Sequence, residues 1–557
     1  MPAIPDAQKY NVWLQRQVQA GRRVVILGDI GSAADSTFKG QADPGPALAA
    51  LGLKFTPYVA PPRTIKSSGS EDLDLAAPTR PAAILKLDPT MCNYEQAIDM
   101  GERELLRAGW PLVRSTGAAN KVYLCVQDYR GDSDVVVVTP SGGVALGTFP
   151  SYVPEARPLR SESLPPGANP SQYAAAEETP APAWRINPFL FFSQALDTDS
   201  LPRPDLSTLN GSRLYWSHID GDASAGISLI DRTSLNSEML YREILSRTRL
   251  PFSVSYVTRD LSFKAKPYYT RELDAARQIL ALPNVETACH TETHPFDWVK
   301  GDSVLVDGKL QKQLPRLSEE ITHSLDFTNQ LVAPRDKPTR ILLWTGLCNP
   351  QPEALALLDS LGVANMNGGD PVYDATNPFV AGIYPVYSRV GDRIQYHTAA
   401  AGDFYYTYSW TRDYDGMKKL VGYFEKTEKP YRLRPMNVYF HFYLAERAEG
   451  LAGLRAVFDY VQKQPIAPLF ASQYPAIVND FVTLRVGRDP EGAILVHNSG
   501  SLRTIRLDNL RKHVDLNRSQ GVIGYLIEDS CLYVHLDGSN KHRIFLQDQT
   551  PSRVYLI

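Results

Sequence analysis

The sequence predicts an α/β protein with a β/α barrel at its centre, and three observations support this fold class. From Leu214 onward, short apolar runs alternate with amphipathic, helix-like runs about six or seven times, which is typical of a β/α barrel. Acidic residues and histidines stand directly after several of the apolar runs, where barrel enzymes carry their active sites. The chain has 557 residues, too many for one compact core, so we expect further domains on both sides of the barrel.

Composition and charge exclude several classes of protein. The formal net charge is −3, which gives no reason to expect nucleic acid as a partner. No apolar run reaches the length of a transmembrane helix, so we expect no membrane insertion. The five cysteines are scattered without a CxxC pair, which argues against a thiolate zinc site or a disulfide framework.

Residues 1–156 are predicted to form a small, Rossmann-like α/β domain. The run Val24–Gly28 has the composition of a buried strand, and the stretch 112–146 is rich in strand-forming residues. A nucleotide site directly after the first strand is one interpretation. The stretch lacks a GxGxxG motif, so a plain strand-to-loop turn is favoured.

Three further segments follow. Residues 157–204 are rich in proline, serine, alanine and glutamate at first and end in the apolar run Ile186–Leu196, which predicts a linker with a docking segment. Residues 205–480 carry the strand–helix alternation of the barrel. Residues 481–557 lose the helical period and consist of short apolar runs bounded by turns, which predicts an all-β module of the sandwich or jelly-roll type.

The barrel elements are assigned from hydrophobic periodicity and length. After the first strand, which ends near Asp220, the predicted strands are Phe252–Val257, Val285–Cys289, Arg340–Trp344, Val363–Met366, Met436–Phe442 and Ile466–Phe470. The predicted helices are Asn236–Arg247, Arg271–Leu282, Ser318–Leu331, Glu353–Leu361, Met417–Lys426 and Leu451–Gln462.

Two strand ends carry the residues of a candidate metal site. Asp220 and Asp222 flank a glycine after one apolar run, and His290 and His294 follow another, four residues apart. An aspartate with an HxxxH pair is a three-ligand set for a cation such as Zn²⁺ and leaves a position open for water. The second carboxylate is then free to act as a base. The alternative is two histidines that only form hydrogen bonds in a cleft.

For three more residues near these strand ends, the sequence gives weaker evidence of a functional role. His441 lies in an apolar strand, where a histidine with a backbone partner is common, but its place at the strand's mouth also suits a general acid. We expect His218 to support the strand end rather than to bind a metal. Glu292, between the two histidines of the HxxxH pair, is expected to support the site or face solvent.

These motifs resemble those of the NodB-type polysaccharide deacetylases. The TFDDG motif of that family corresponds to His218–Asp222, its HxxxH pair to His290 and His294, and its late LxH motif to Tyr439–His441. The combination SHIDGD, HTETHPFDW, WTGLCNP, NMNGGD and VYFHFY is similar to the PelA-type deacetylases of Pel exopolysaccharide biosynthesis. This similarity extends to segments on both sides of the barrel (SDVVVVTPSGG, WRINPF, LRTIRL, GVIGY, LYVHLDG) and so covers most of the chain.

The resemblance implies a distorted (β/α)7 barrel that binds zinc or another divalent metal and removes acetyl groups from N-acetylhexosamine units of a polysaccharide. By motif order, Asp220 corresponds to the catalytic base and His441 to the acid, while Asp222, His290 and His294 correspond to the metal ligands. It also implies a periplasmic or secreted location and a polymer export or synthase complex as a protein partner.

The chain departs from the family pattern at two places. The inserted Gly221 changes the carboxylate spacing, so the roles of the two neighbouring aspartates could be exchanged. The family's arginine, which pairs with the base, is absent, because Trp344 and Thr345 occupy its region; Arg389 and Arg412 are candidates to replace it.

Four aromatic residues are candidates for packing against sugar rings, with barrel core packing as the alternative for each: Phe296, Trp298, Trp344 and Tyr405. Two other functions remain open at this stage. One is a glycoside hydrolase on a seven-stranded barrel, which would need paired carboxylates. The other is a non-catalytic scaffold that binds polysaccharide. The absence of the family's arginine favours this alternative.

Overall fold

The structure is a computed structural model. It describes residues 6–28, 30, 43–56, 82–96, 110–128, 130–152, 183–199, 201–262, 264, 268–306, 309–374, 377–383, 385–429, 431–508, 510 and 512–548. These residues divide into two compact units, one of residues 1–201 with 377–382 and one of residues 202–376 with 383–557.

The first unit is built on a five-stranded sheet in the order β1-β7-β6-β5-β3. Its strands are β1 Val24–Gly28, β2 Leu53–Thr56, β3 Ala83–Leu87, β4 Leu112–Ser115, β5 Lys121–Asp128, β6 Gly131–Thr139, β7 Gly142–Leu146, β8 Ser151–Tyr152 and β9 Ala183–Trp184. Its helices are α1 Ala7–Gln19, α2 Gly45–Ala50 and α3 Pro188–Leu196. The predicted first strand and the β-rich stretch 112–146 are confirmed.

The apolar segment predicted for docking forms α3, which packs on the sheet of the first unit. A Cβ added at Gly143 would lie 2.9 Å from Cβ of Ala195 and 3.1 Å from Cζ of Phe191. The helix therefore approaches β7 so closely that only a glycine fits beneath it. The polar part of the predicted linker, residues 157–182, lies outside the described residues, as do Asp29 and Gly31 of the turn considered for nucleotide binding.

The second unit carries seven parallel strands in one sheet. β12 (Ser212–Asp220) pairs in parallel with β13 (Phe252–Val254), β21 (Met436–His441) and β22 (Ile466–Pro468). From β13 the sheet continues in parallel through β14 Val285–Cys289, β17 Ile341–Leu343 and β18 Ala364–Met366. The short antiparallel strand β11 (Thr208–Leu209) completes it.

The strands of the predicted distorted (β/α)7 barrel form an open, curled sheet. Within the described residues, β18 and β21 stand at the two ends of the strand order and do not pair with each other. The stretch between them holds loops, the small antiparallel hairpin of β19 (Tyr387–Val390) and β20 (Arg393–Tyr396), and the helices Asp403–Tyr406 and Leu420–Lys426. The strand–helix alternation of the sequence is thus confirmed as a parallel α/β sheet, while closure into a (β/α)7 barrel is not observed.

The remaining strands of the second unit are β10 Arg203–Pro204, β15 Asp302–Val306, β16 Lys309–Gln313, β23 Arg485–Arg488, β24 Ile494–His497, β25 Thr504–Asp508, β26 His513–Val514, β27 Val522–Glu528, β28 Cys531–Leu536, β29 Lys541–Ile544 and β30 Leu546–Gln547. Its helices are α4 Asn236–Glu243, α5 Thr258–Ser262, α6 Tyr269–Ala281, α7 Ser324–Phe327, α8 Pro352–Leu361, α9 Asp403–Tyr406, α10 Leu420–Lys426, α11 Ala448–Val461 and α12 Tyr474–Thr483. Strands β23 to β30 form small antiparallel sheets, and a sandwich or jelly-roll arrangement of them stays a prediction.

The predicted helix Ser318–Leu331 has an unusual form in the structure. Wide π-helical turns over Ser318–His323 and Thr328–Val332 flank the α-helical turn of α7. π-Helical turns are rare and are found often near functional sites. No helix of the described residues is both long enough and apolar enough to cross a lipid bilayer.

Candidate metal centre and active site

The candidate site residues meet at one edge of the parallel sheet. Asp220 ends β12 and lies in register with His441, which ends β21. His290 and His294 follow β14, the second neighbour of β12 on the other side. Because parallel strands all end at the same edge, residues that are far apart in sequence come together there. Asp222 follows β12 by two residues and completes the group.

Asp222 lies between the two imidazoles of the HxxxH pair. Its Oδ2 is 3.2 Å from Nε2 of His290, and its Oδ1 is 3.2 Å from Nε2 of His294. Ligand atoms about 2.0–2.2 Å from a tetrahedral ion lie about 3.3 Å from one another. The donor set of one carboxylate and two imidazoles therefore fits a cation such as Zn²⁺ in both chemistry and spacing.

The local backbone holds the two imidazoles in place. Nδ1 of His290 donates a hydrogen bond to the carbonyl oxygen of Leu343 at 2.9 Å, which leaves Nε2 as the ring atom that faces Asp222. Thr291 and His294 both have left-handed backbone angles, with φ of 64° and 60°, and the His294 N–H donates to Oγ1 of Thr291 at 3.2 Å. The loop is therefore strained but locked by hydrogen bonds.

Electrostatics favour an ionised carboxylate at the centre of this set. Burial alone raises the pKa of Asp222, but the hydrogen bonds from His290 and His294 outweigh burial and leave this pKa well below its ordinary value. Burial alone lowers the pKa of His290, but the charges of Asp220 and Asp222 outweigh it and raise that pKa. The carboxylate is thus an anion over the whole physiological pH range.

Gly221 is required by a close approach of two backbone segments. A Cβ at this position would lie 2.6 Å from Cα of Tyr256 and 2.6 Å from N of Val257. The glycine lets the chain turn directly after β12, so that Asp222 reaches both imidazoles while Asp220 stays behind it. Nε2 of His290 is 3.7 Å from Oδ2 of Asp220, and this longer distance separates the two aspartates.

Neutral groups hold Asp220 where the resembled family has an arginine. Nδ2 of Asn367 donates to both carboxylate oxygens of Asp220, at 3.2 and 3.0 Å. The Tyr439 hydroxyl donates to Oδ2 at 2.9 Å. Arg389 is exposed on the β19–β20 hairpin, and Arg412 stacks on the Tyr408 ring at 3.7 Å; the hydrogen bonds described for the Asp220 carboxylate come from Asn367 and Tyr439.

Sequence reasoning assigned no role to Asn367 or Tyr439, although they lie in the motifs NMNGGD and VYFHFY. A signal for Asn367 was present, because it directly follows β18, another strand that ends at the site edge. Tyr439 lies two residues before His441 on β21, so its side chain points to the same face of the strand. Its hydroxyl is also 3.4 Å from Nε2 of His441.

A buried carboxylate holds His441. Nδ1 of His441 is 2.7 Å from Oδ1 of Asp403, which is 0% exposed in its side chain. Oδ2 of Asp403 accepts a hydrogen bond from Nε1 of Trp410 at 2.8 Å. The expected alternative of a core histidine with a backbone partner is therefore wrong, because the partner is a carboxylate. Nε2 of His441 faces the site, 3.7 Å from Asp220 and 3.8 Å from Asp222.

The environment keeps the His441 imidazole protonated. Burial alone lowers its pKa, but the charge and hydrogen bond of Asp403, together with the charges of Asp220 and Asp222, raise the pKa to about 10. A buried imidazolium with one anion behind it and two in front has the properties of a proton donor. Sequence reasoning missed Asp403, which lies 38 positions away in the chain.

The four aromatic candidates fall into two groups. Trp298 and Trp344 are both 0% exposed; their rings meet edge to face at 4.9 Å inside a core cluster. The structure thus places these two indoles in the core, with no surface for a sugar ring. Phe296 is 56% exposed, and Tyr405 is half-buried with its hydroxyl 3.3 Å from Oδ2 of Asp374.

His218 and Glu292 lie beside the site without entering the ligand set. His218 is fully buried, accepts a hydrogen bond from Asn437 at 3.1 Å and stacks on Tyr439 with ring centres 4.5 Å apart. Burial lowers its pKa to about 4, so the ring is neutral at physiological pH. Oε2 of Glu292 accepts from Oγ1 of Thr258 at 2.8 Å and contacts Nδ1 of His323 at 3.1 Å. Both residues support the strand end and the loop, as expected.

Comparison with solved structures found only weak similarity, as three of the matching structures illustrate. One is a polysaccharide deacetylase from Mycobacterium smegmatis, described as putative, with 13% identity, a TM-score of 0.32, and 50% of this chain and 92% of that chain covered. Another is Puue allantoinase, with 12% identity, a TM-score of 0.32, and 49% of this chain and 93% of that chain covered. A third is 4-alpha-glucanotransferase from Thermococcus litoralis, with 12% identity, a TM-score of 0.30, and 47% of this chain and 39% of that chain covered. No protein-family model matches the chain, and no curated protein matches it.

Proposed function

We propose that this protein is a metal-dependent hydrolase that removes acetyl groups from N-acetylhexosamine units of a polysaccharide. One observation carries the proposal: both oxygens of Asp222 lie 3.2 Å from an imidazole Nε2 atom, one of His290 and one of His294. A second buried carboxylate and a protonated histidine stand beside this set, and amide hydrolysis needs both a base and an acid.

Asp222, His290 and His294 would hold a divalent cation, with zinc the first candidate. When bound there, the cation supplies Lewis acidity, which makes a water more acidic and polarises a carbonyl oxygen. The Leu343 carbonyl holds the Nδ1–H of His290, so Nε2 is the atom that would bind the cation once its proton is lost. The side chain of Asp222 is 22% exposed, which leaves the set open to substrate from one side.

Asp220 is assigned the role of base. Its side chain is 3% exposed, and hydrogen bonds from Asn367 and Tyr439 fix the orientation of both oxygens. Both donors are neutral groups, one an amide and the other a hydroxyl. A base that takes a proton from water must hold its oxygens in a fixed direction, and these hydrogen bonds do so for Asp220.

His441 is assigned the role of acid. An amide nitrogen leaves poorly as an anion, so it must receive a proton as the C–N bond breaks. The Asp403 carboxylate behind His441 stabilises the imidazolium and directs its Nε2–H into the site. The pKa of about 10 keeps this proton available in the resting enzyme.

The substrate class is proposed from the motif resemblance to the PelA-type deacetylases. On that basis, we expect a Pel-like exopolysaccharide in biofilm formation as the polymer, a periplasmic or secreted location, and a polymer export or synthase complex as partner. The exposed ring of Phe296 and the partly exposed ring of Tyr405 are the aromatic surfaces that we assign to sugar binding.

A combined assay of metal content and acetate release tests the proposal. The purified protein should contain about one divalent ion per chain and release acetate from partly acetylated amino sugar oligomers, and chelation should abolish the release. Counting new reducing ends in the same samples separates deacetylation from glycoside hydrolysis. Metal-loaded protein that releases neither product would refute an enzymatic role and favour the scaffold alternative.

A further inference from the structure

The loop between the two histidines of the metal centre rests on a buried carboxylate that belongs to neither strand end. Glu320 is 4% exposed. Its Oε2 accepts hydrogen bonds from the backbone N–H groups of Glu292 at 3.1 Å and Thr293 at 2.9 Å. Its Oε1 accepts from the hydroxyl of Thr293. Three donors of one short loop therefore converge on a single side chain.

The helical segment that carries Glu320 makes further contacts with the same loop. Nδ1 of His323 is 3.1 Å from Oε2 of Glu292, and Oγ of Ser324 is 2.7 Å from Sγ of Cys289. Glu320 and His323 lie in the first of the two π-helical turns, Ser318–His323, and Ser324 begins α7 directly after it. The segment thus contacts the chain directly before His290 and again between the two histidines.

The loop needs such support because its backbone is strained. Thr291 and His294 both adopt positive φ, at 64° and 60°, which is unfavourable for residues other than glycine. A β-branched residue such as threonine is rarely found there. A loop without external hydrogen bonds would relax out of this conformation, and the His294 imidazole would move away from Asp222.

We propose that the Glu320 carboxylate is a positioning group that holds the His290–His294 loop in the conformation that directs both imidazoles at one cation. It acts through the loop backbone and touches neither imidazole. The proposal rests on the metal centre proposed above. It predicts that metal affinity depends on hydrogen-bond acceptors at position 320 rather than on the negative charge there.

Three variants separate these two roles. Glu320→Ala removes all acceptors and should weaken metal binding about 10–100-fold, the usual effect of losing a group that orients metal ligands. Glu320→Gln keeps an oxygen for the two N–H donors and offers its amide N–H to Thr293, so it should stay within about threefold of wild type. Glu319→Ala is the matched control, because Glu319 is exposed and pairs with Arg316.

The measurement uses cobalt(II) alone as the probe, added to metal-free protein and followed by its visible absorption. Amide hydrogen exchange of the metal-free protein gives a second readout: the N–H groups of Glu292 and Thr293 should exchange faster in Glu320→Ala and unchanged in Glu319→Ala. Should Glu320→Ala fail to fold, Thr293→Val replaces it, since it removes one contact at an exposed site and should weaken cobalt binding at least about threefold.

The outcomes are distinguishable. Weak binding in Glu320→Ala with near-normal binding in Glu320→Gln supports the positioning role. Equal weakening in both variants overturns it, because charge and not hydrogen-bond geometry would then be what matters. Wild-type affinity in Glu320→Ala, or in Thr293→Val where that variant is used, also overturns it. Wild-type protein that binds no cobalt overturns the metal centre itself, and with it this proposal.

Discussion

Replacement of Asp403 by asparagine should change the pH range in which the enzyme works. The carboxylate binds the Nδ1–H of His441 at 2.7 Å and the Nε1–H of Trp410 at 2.8 Å, so both oxygens accept. An asparagine offers one oxygen and one amide group, and the amide would face a donor at one of the two positions. The imidazolium would lose both its counter-charge and its orientation.

The size of the effect follows from the electrostatics of the site. Burial lowers the pKa of His441, and Asp403 provides the largest of the effects that raise it from 6.5 to about 10. This rise corresponds to about 5 kcal/mol in favour of the protonated ring. Because the protonated form is the active one, wild-type activity should persist to high pH and fall as pH rises through that value. Without Asp403 the fall should begin at least about one pH unit lower.

The assay is the pH dependence of kcat for acetate release between about pH 6 and 10.5. At pH 8, Asp403→Asn should lose about 100-fold in kcat, within the range of general-acid contributions, while its metal content stays normal. The control is Asp413→Asn, whose side chain is 48% exposed and pairs with Lys419. An alkaline limb at the same pH in wild type and Asp403→Asn would refute the assignment of His441 as a proton donor held by this carboxylate.

Three further predictions test other parts of the site and core. Asp222→Asn should lose metal and activity together, whereas Asp220→Asn should keep its metal and lose about 100-fold or more in kcat; metal loss in Asp220→Asn instead would reverse their roles. His218 has a pKa lowered to about 4 by burial, so wild type should lose about 3 kcal/mol of unfolding free energy as pH falls from 7 toward 4. In urea titrations, the unfolding free energy of His218→Gln should fall less than that of wild type over this pH range. The same pH dependence in both proteins would contradict the prediction. Trp298→Ala should cost about 3–5 kcal/mol of stability, because it empties a core site. Phe296→Ala, at an exposed site, should cost less than about 0.5 kcal/mol and raise KM. The reverse pattern in thermal melting and enzyme kinetics would contradict the division into core and surface rings.

Much of the second unit was predictable from hydrophobic periodicity. Strand Val285–Cys289 was predicted with its observed bounds, and the other parallel strands within a few residues. The wide turns of the Ser318–His323 segment were not predictable, because a π-helical and an α-helical turn share nearly the same apolar pattern. Closure of the barrel is not confirmed, since it depends on pairing between β18 and β21, and pairing between distant strands cannot be read from local periodicity.

By itself, the sequence determined which residues stand at the ends of parallel strands and therefore which carboxylates and imidazoles could meet. Strand ends can be read from local composition, and parallel pairing brings them to one edge whatever lies between. Tertiary structure alone decided their partners. Asn367 holds Asp220 from 147 positions away, Asp403 lies behind His441, and Glu320 lies beneath the histidine loop. Each of these contacts depends on the exact path of loops between the strands, which short-range patterns do not encode. The burial that separates Trp298 from Phe296 has the same origin, because solvent exposure is a property of the packed chain and not of the residue type.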